Sequence, residues 1–158
     1  MYVYRLRHSN IIKLYGYFHN NHKVFLVMEK AYGDLYNGVL SKQQGHKLNE
    51  NVAANYIYQI ANALYCMHDQ QVYHRDLKPE NVLCSEMPSS SSNGQTTLKL
   101  CDFGWSVYAP EKVMRDTLCG TPEYVAPEML RKTRQYDVRF IDSWSLGVLA
   151  IEMLVGNT

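Results

Sequence analysis

Two apolar segments near the start of the chain predict a β-hairpin. Segments 11–19 and 24–28 are rich in β-branched and aromatic residues, which favour extended structure. Between them, residues 20–22 (NNH) supply residues that are common in turns. We therefore expect two neighbouring strands joined by this short turn.

Segment 49–68 has the clearest helical period in the chain. Its apolar residues recur at a spacing that places them on one face: Ile57, Ile60, Ala61, Leu64 and Met67. Either Asn49 or Asn51 is available to cap its first turn. A shorter helix is expected at 34–40, directly after Gly33.

Two short strands and a polar loop are expected next. Segments 82–84 and 98–101 are apolar and have the length of strands. Segment 88–97 (PSSSSNGQTT) is polar, low in complexity and without a hydrophobic period, so we predict a flexible loop. An insertion of this kind costs little, because loop-closure entropy grows slowly with length.

The last predicted helix, 142–154, is apolar nearly all round, and a helix without a polar face belongs inside a larger body. The sequence stops shortly after it, before anything could cover it. The hairpin at the other end presents the same problem, because two strands alone leave unpaired edges. We therefore expect that both ends of the sequence cut through a hydrophobic core.

Composition indicates an ordinary globular chain, with 46% apolar and 20% charged residues. A net charge of +1 excludes a strong general field for nucleic acid or anionic membranes. The cysteines are spread without a close pair, which favours reduced thiols over a zinc site or a disulfide framework. They are Cys66, Cys84, Cys101 and Cys119.

Nothing in the sequence predicts secretion or a membrane span. No basic segment followed by an apolar one opens the chain. The longest apolar stretch, 146–155, is interrupted by Glu152 and is too short to cross a bilayer. We expect a soluble intracellular protein.

Three motifs occur in a specific order: YHRDLKPEN at 73–81, DFG at 102–104 and APE at 126–128. This set resembles the signature of eukaryotic protein kinases and is far more specific than any single motif. The resemblance implies an α+β, bilobal kinase fold. His74 then belongs in the core beneath Phe103 rather than acting as a general base.

The residue types in these motifs suit phosphoryl transfer, which depends on positioning and on cancelling phosphate charge. The resemblance implies that Asp76 accepts or orients the proton of the substrate hydroxyl and that Lys78 steadies the transferred group. Asn81 and Asp102 would supply oxygen ligands to Mg²⁺, a hard cation. A lone aspartate is more often a surface or capping residue, but the ordered motifs favour catalytic roles here.

Three further segments resemble the Aurora family of mitotic Ser/Thr kinases. They are 6–18 (LRHSNIIKLYGYF), 102–110 (DFGWSVYAP) and 117–121 (TLCGT). The resemblance extends over essentially the whole chain apart from the serine-rich loop. Lys78 together with 120–124 (GTPEY) indicates Ser/Thr rather than Tyr specificity.

The resemblance implies three parts: a small-lobe remnant at 1–28, a hinge at 29–33 and a partial large lobe at 34–158. The Gly-rich phosphate loop, the strand lysine and the helix glutamate that pairs with it have no counterpart in the sequence, and neither do the later helices. We therefore expect a kinase truncated at both ends. Whether the chain is active by itself stays open.

ATP and Mg²⁺ are the cofactors that the resemblance implies. Met28 would be the gatekeeper, although it equally suits a plain strand core, and Leu83 would lie beneath the adenine. Asp34 would meet the ribose or a basic substrate residue, or else be an exposed acid at a helix start. The full set of implied ATP-binding residues is Glu29, Lys30, Ala31, Glu80, Asn81, Leu83 and Asp102.

Other implied roles concern the activation loop. Thr117 resembles its phosphosite, and the phosphate would dock on Arg75. Thr121 would bridge Asp76 and Lys78, which completes the implied catalytic set. Cys119 would be a redox switch or, more simply, a plain thiol.

Two acidic residues of the large lobe also have implied roles. Asp142 would tie the backbone of the catalytic loop to the last helix, or else cap that helix. Glu128 would pair with an arginine beyond the end of the sequence. Lys30, where Aurora kinases often carry an aromatic residue, and the single Arg115 before Thr117 depart from the Aurora pattern.

The expected function is transfer of the γ-phosphoryl group of MgATP to Ser or Thr of a protein. By resemblance, the substrate carries basic residues near the target and an activator protein binds the small lobe. Neither nucleic acid nor a membrane is expected as a partner. The location would be the cytoplasm or nucleus, at the spindle or centrosome. The alternative is a naturally truncated, inactive kinase-like protein with a binding or regulatory role.

Overall fold

The computed structural model describes residues 5–86, 96–110, 114–131 and 135–156. The helices are α1 Leu35–Gly38, α2 Glu50–Asp69 and α3 Val138–Val155. The strands are β1 Leu14–His19, β2 Val24–Met28, β3 Gly33–Asp34, β4 Val72–Tyr73, β5 Val82–Cys84, β6 Leu98–Leu100, β7 Val107–Tyr108, β8 Met114–Arg115 and β9 Tyr136–Asp137. Short 3₁₀ turns include Pro79–Asn81, Pro122–Tyr124 and Pro127–Leu130.

The predicted hairpin is confirmed as the antiparallel pair β1 and β2, which runs from Leu14 opposite Met28 to His19 opposite Val24. The Asn20 side chain accepts hydrogen bonds from two backbone N–H groups of the turn, at 2.9 and 2.8 Å. Strand β1 begins three residues later than predicted. Ile11 instead forms an isolated bridge to Leu100, so this end of the segment pairs with β6.

Strands β3, β5 and β6 form a small antiparallel sheet, which confirms the two strands predicted at 82–84 and 98–101. Most of the predicted polar loop, residues 88–95, lies outside the described residues. At its end, Thr96 and Thr97 hydrogen-bond Glu86 and Ser85, which closes the base of the loop.

Helix α2 is confirmed, and Asn49 rather than Asn51 is its cap, because the Asn49 side chain accepts from the Asn51 N–H at 3.0 Å. The buried face is rotated relative to the prediction. Ile57 and Ala61 are only half-buried. The buried residues are Ala53, Tyr56, Ile60, Ala63, Leu64 and Met67.

Helix α3 begins at Val138, four residues before the predicted start at 142. Its cap is Asp137, whose carboxylate accepts from the Arg139 N–H at 3.1 Å. Asp142 therefore lies inside the helix, and its capping alternative is wrong. One side of α3 is buried, whereas Trp144 and Ile151 on other sides are 47% and 59% exposed.

Two hydrophobic cores hold these elements together. The larger one joins α1, α2, β5, β6 and one face of α3. The smaller one lies between β4, α3 and the segment before it, and contains Tyr73, Ala109, Cys119, Ala126, Met129, Tyr136, Val138 and Ile141. Among the described residues, no helix has the length and apolar character needed to cross a membrane.

A buried amide also ties the start of the chain to the larger core. Asn10 is 8% exposed, and its side-chain N–H groups donate to Gln59 Oε1 at 2.9 Å and to the Leu98 carbonyl at 2.8 Å. The Gln59 Oε1 atom also accepts from the Leu98 N–H at 2.8 Å. The segment before β1 is therefore anchored to both α2 and β6.

Candidate active site

Helix α3 anchors the loop 74–81, called here the catalytic loop, through Asp142. The fully buried Asp142 carboxylate accepts from the backbone N–H groups of His74 at 2.9 Å and Arg75 at 2.8 Å. The His68 ring lies 2.8 Å from the same carboxylate. Burial alone would raise the pKa of Asp142, but the His68 hydrogen bond, the nearby His74 and the Arg75 N–H hold it below its ordinary value. The charged carboxylate therefore fixes the loop, including Arg75 with its left-handed φ of 68°.

The His74 ring is fully buried, as predicted, and its centroid lies 5.2 Å from that of Phe103. Its Nδ1 atom accepts from the Asp76 N–H at 3.3 Å, so Nε2 carries the proton and donates to the Cys101 carbonyl at 2.9 Å. The ring thus joins the catalytic loop to the residues that flank Asp102. Its position is structural, which confirms the prediction of a core role.

Asp76, Lys78 and Thr121 form a triangle of two hydrogen bonds and one longer ionic contact. The Thr121 hydroxyl donates to Asp76 Oδ1 at 2.9 Å and accepts from Lys78 Nζ at 2.8 Å. Lys78 Nζ lies 3.8 Å from Asp76 Oδ2. Asp76 is only 8% exposed, so protein groups rather than water surround most of its carboxylate. The bridging contact predicted for Thr121 is present.

Asn81 and Asp102 suit a hard cation by the chemistry of their side chains. The Asn81 amide N–H groups donate to Asp76, at 2.8 Å to its carbonyl and 3.0 Å to Oδ2, which leaves the amide oxygen for other ligands. The Asp102 carboxylate is exposed and accepts from the Gly104 N–H at 3.2 Å. Oxygen donors of these types fit Mg²⁺. In the described part of the chain, His, Cys, Asp and Glu form no cluster of three or more that could hold a metal.

A cavity of about 570 Å³ opens between the hairpin and the rest of the molecule. Leu83 and Asp102 line it, as does Met28. The other lining residues are Ile12, Leu14, Leu26, Cys101, Phe103, Gly104 and Ser106. A largely apolar cavity lined by a few polar groups suits an organic ligand with a flat apolar part.

The predicted hinge residues lie beside this cavity rather than in its lining. The Glu29 carboxylate binds Lys99 Nζ at 3.0 Å, and its backbone N–H donates to the Lys13 carbonyl at 2.8 Å. Within the described residues, the backbone groups of Ala31 have no protein partner and remain available to a ligand. Glu80 is exposed on the 3₁₀ turn Pro79–Asn81. Asp34 caps the short helix α1, accepting from the Asn37 N–H at 2.7 Å.

Thr117 is exposed on the segment 102–128, called here the activation segment, and is joined to Arg75 through a third residue. The Tyr136 hydroxyl donates to the Thr117 carbonyl at 2.7 Å and accepts from Arg75 Nη1 at 3.3 Å. Burial raises the pKa of Tyr136 even though Arg75 opposes this, so the hydroxyl keeps its proton. Sequence reasoning missed Tyr136, since it belongs to none of the motifs.

The sequence motif 120–124 includes Tyr124 but did not predict what its side chain contacts. Tyr124 donates a short hydrogen bond to Glu152 of α3, and the Ser145 hydroxyl donates to the Tyr124 carbonyl at 2.8 Å. Burial raises the pKa of Tyr124, and the Glu152 bond with the charges of Glu80 and Glu123 raises it further. Several carboxylates therefore surround the end of the activation segment.

Cys119 is buried in the smaller core, 5% exposed. Burial raises the pKa of its thiol, although Arg75 partly opposes this. A redox switch needs an accessible thiolate, so the structure favours a plain thiol.

The complete chain, residues 1–158, matches the family described as the protein kinase domain. The chain belongs to the protein kinase family. Its mixed α/β structure, with a strand pair followed by a mainly helical part, fits a partial kinase fold, as predicted.

Among individual kinases, the chain is similar to Aurora kinases. It is 45% identical over 153 residues to an Aurora kinase of Eremothecium gossypii, covering 96% of this chain and 38% of that protein. It is 47% identical over 150 residues to an Aurora kinase of Candida glabrata, covering 94% and 38%. Aurora kinase A-A of Xenopus laevis is 46% identical over 153 residues, covering 96% and 34%. The Aurora resemblance is confirmed, and the chain spans little more than a third of these curated relatives.

Proposed function

We propose that the protein carrying this chain transfers the γ-phosphoryl group of ATP to Ser or Thr hydroxyls of other proteins. The observation that carries this proposal is the triangle of Asp76, Lys78 and Thr121, in which a base, a cation and a hydroxyl lie within hydrogen-bond reach. Phosphoryl transfer requires such positioning and little covalent chemistry.

Asp76 is the group that orients the substrate hydroxyl and receives its proton. Its Oδ2 atom is held by Asn81 and its Oδ1 atom by Thr121, so the carboxylate has a fixed direction. Lys78 Nζ lies 3.8 Å from Asp76 Oδ2, so its positive charge would stabilise the negative charge that develops on the transferred group.

Asn81 and Asp102 would hold Mg²⁺, which neutralises phosphate charge when bound. The backbone around Glu29, Lys30 and Ala31 would hold the adenine, with Leu83 beneath it and Glu80 near the substrate side. This assignment is supported by the cavity that Leu83 and Asp102 share. The division into a small-lobe part, 1–28, a hinge, 29–33, and a large-lobe part, 34–158, belongs to the same proposal.

The preferred substrate would carry basic residues near its target Ser or Thr. Support comes from Glu80, Glu123 and Glu152, whose charges all act on Tyr124 at the end of the activation segment. Carboxylates grouped in this way attract arginine and lysine side chains. Phosphorylation of Thr117, an activator on the small lobe and a spindle or centrosome location extend the proposal by analogy with Aurora kinases.

Phosphotransfer by the full-length protein tests the proposal, with radiolabelled ATP, Mg²⁺ and a serine peptide that carries arginines. Asp76→Asn should lower kcat by about 100-fold or more, because a positioned general base contributes roughly 10²–10⁴. Asp69→Asn is the matched control, since Asp69 is an exposed aspartate at the end of α2. No phosphotransfer by the wild type, or an unaffected Asp76→Asn variant, would refute the proposal.

Nucleotide binding separates this function from that of an inactive kinase-like binding protein. We expect Mg²⁺ to tighten ATP binding in the wild type and to have no such effect in Asp102→Asn. If ATP binds equally well with and without Mg²⁺ and with and without the Asp102 charge, the kinase-type site is not operating. The intact triangle favours the enzyme.

A further inference from the structure

The Tyr136 hydroxyl is a buried junction between the catalytic loop and the activation segment. Tyr136 is 1% exposed, and its hydroxyl bonds the Thr117 carbonyl on one side and Arg75 Nη1 on the other. The backbone of Tyr136 pairs with Arg115 in the antiparallel ladder of β8 and β9. Tyr136 therefore holds the activation segment at two points, by its backbone at Arg115 and by its hydroxyl at Thr117.

Arg75 is itself rigidly placed, so it is a firm anchor for this junction. Its backbone N–H is held by Asp142 at 2.8 Å, and its Nε–H donates to the Trp105 carbonyl at 2.7 Å. The guanidinium thus connects the beginning of the activation segment to Tyr136. Among the described residues, no hydrogen bond uses Arg75 Nη2, which leaves one fork of the guanidinium for an additional acceptor.

Residues 117–121 connect the Tyr136 hydroxyl to the Thr121 hydroxyl of the catalytic triangle. Cys119 is buried in the smaller core together with Tyr136. Gly120 lies so close to the Arg75 carbonyl that a Cβ atom there would stand 2.8 Å from it. Thr121 then reaches Asp76 and Lys78. A short, tightly held path therefore leads from the Tyr136 hydroxyl to the catalytic triangle.

We infer that Tyr136 is a positioning residue whose hydroxyl orders the activation segment before Thr117 is phosphorylated. This inference rests on the proposed kinase function and on the proposed modification of Thr117. In the unphosphorylated protein the hydroxyl links Arg75 to residue 117 through two bonds, one accepted from the guanidinium and one donated to the neutral Thr117 carbonyl. A phosphate on Thr117 would bind Arg75 directly through charge-assisted bonds, which are roughly twice as strong. The hydroxyl then becomes largely redundant.

The inference predicts that the importance of the Tyr136 hydroxyl depends on whether Thr117 is phosphorylated. Removing the hydroxyl should harm the unphosphorylated protein and leave the phosphorylated protein nearly unchanged. A residue that only fills the smaller core would affect both forms equally, because the core is the same in both. Phenylalanine retains the ring that packs there, so Tyr136→Phe isolates the hydroxyl.

The test compares wild type, Tyr136→Phe and Tyr56→Phe in the full-length protein, each treated with phosphatase or fully phosphorylated on Thr117. Tyr56 is the matched control, since it is also 1% exposed but lies in the larger core and bonds the Thr96 backbone. In the unphosphorylated form, Tyr136→Phe should lower kcat/KM for the arginine-containing peptide about tenfold, the value of one buried hydrogen bond. In the phosphorylated form the loss should stay below about twofold. Tyr56→Phe should change both forms by the same factor.

A second measurement reports order without depending on catalysis. Backbone amide exchange of residues 114–121 should be about tenfold faster in unphosphorylated Tyr136→Phe than in wild type, and unchanged in Tyr56→Phe. If wild type shows no phosphotransfer, the proposed function fails, while the exchange result still decides whether the hydroxyl orders the segment.

Two results would overturn the inference. An equal loss of kcat/KM in both phosphorylation states would mean that Tyr136 acts through the core alone. Unchanged amide exchange in unphosphorylated Tyr136→Phe would mean that its hydroxyl does not order the segment. Thermal unfolding of both phenylalanine variants checks that each stays folded under the assay conditions, so that a lower kcat/KM or faster exchange reports the activation segment and not global unfolding.

Discussion

A Cβ atom on Gly120 would lie 2.8 Å from the carbonyl oxygen of Arg75. Gly120 also has a φ of 93°, in the left-handed region that side-chain-bearing residues rarely adopt. The activation segment therefore rests directly on the backbone of the catalytic loop at this point. Thr121, the next residue, gains its position in the catalytic triangle from that contact.

Gly120→Ala should displace Thr121 and so disturb phosphotransfer more than folding. A misplacement of about 1 Å in a catalytic group can cost roughly 100-fold in rate, and we expect a loss of kcat/KM of that order. Steady-state kinetics on the full-length protein measures it. Gly16→Ala is the control, because a Cβ atom there meets nothing within 4 Å. Equal activity of the two variants would contradict the proposed contact.

Asp142→Asn should destabilise the protein, because the amide cannot replace a carboxylate that accepts from His74, Arg75 and His68. We expect the free energy of unfolding at pH 7 to fall by about 3 kcal/mol, because hydrogen bonds to a charged group contribute roughly 1.5–3 kcal/mol and the substitution leaves buried partners poorly paired. Denaturant titration measures this, and Asp69→Asn at the exposed end of α2 should change it by less than about 0.5 kcal/mol.

The difference in the free energy of unfolding between wild type and Asp142→Asn should depend on pH in a definite direction. The pKa of Asp142 is lower in the folded protein than the value of about 3.9 expected for an unfolded aspartate. Its contribution to stability is therefore complete above that pH and is lost as the pH falls through the folded-state pKa. The gap between wild type and Asp142→Asn should stay constant from about pH 7 to 5 and narrow below about pH 4. A gap that narrows already near neutral pH would contradict this assignment.

The ion pair of Glu29 and Lys99 should contribute modestly to stability at the predicted hinge. The side chains are 27% and 12% exposed, and Lys99 Nζ also donates to the Ser9 carbonyl at 2.9 Å. A double-mutant cycle with Glu29→Gln and Lys99→Met should give a coupling of about 1 kcal/mol, at the upper end for ion pairs that water still reaches. The coupling should shrink at high salt. A coupling indistinguishable from zero at low salt would show that the pair is incidental.

Buried thiols should react slowly in the folded protein. Burial raises the pKa of Cys84 to about 11 and that of Cys101 to about 12, against a model-peptide value near 8.5. Because the thiolate is the reactive form, alkylation of Cys84 at pH 8 should be on the order of 100-fold slower than in the urea-unfolded chain. Mass spectrometry after timed labelling measures this, with half-buried Cys66 as the internal reference. Equal rates at Cys84 in both states would contradict the assigned burial.

Local elements of the fold could be predicted because their signals lie within a few residues. Turn residues between two apolar runs predicted the hairpin, and Asn49 was one of two candidates for the cap of α2. The start of α3 was placed wrongly, since apolar periodicity shows where a helix is buried and not where its first turn forms. The Asp137 cap comes before the first residues of that apolar pattern, so the pattern did not show it.

The sequence by itself determined the family, because the catalytic motifs keep a fixed order and spacing along the chain. Only the tertiary structure decided which distant groups meet: the Tyr136 hydroxyl with the Thr117 carbonyl, and the side chains of Tyr124 with Glu152, Asn10 with Gln59 and Glu29 with Lys99. A hydrogen bond requires two groups at about 3 Å in a suitable direction. Separations of 19 to 70 positions along the chain are closed only when the helices and strands pack, so no local pattern records them.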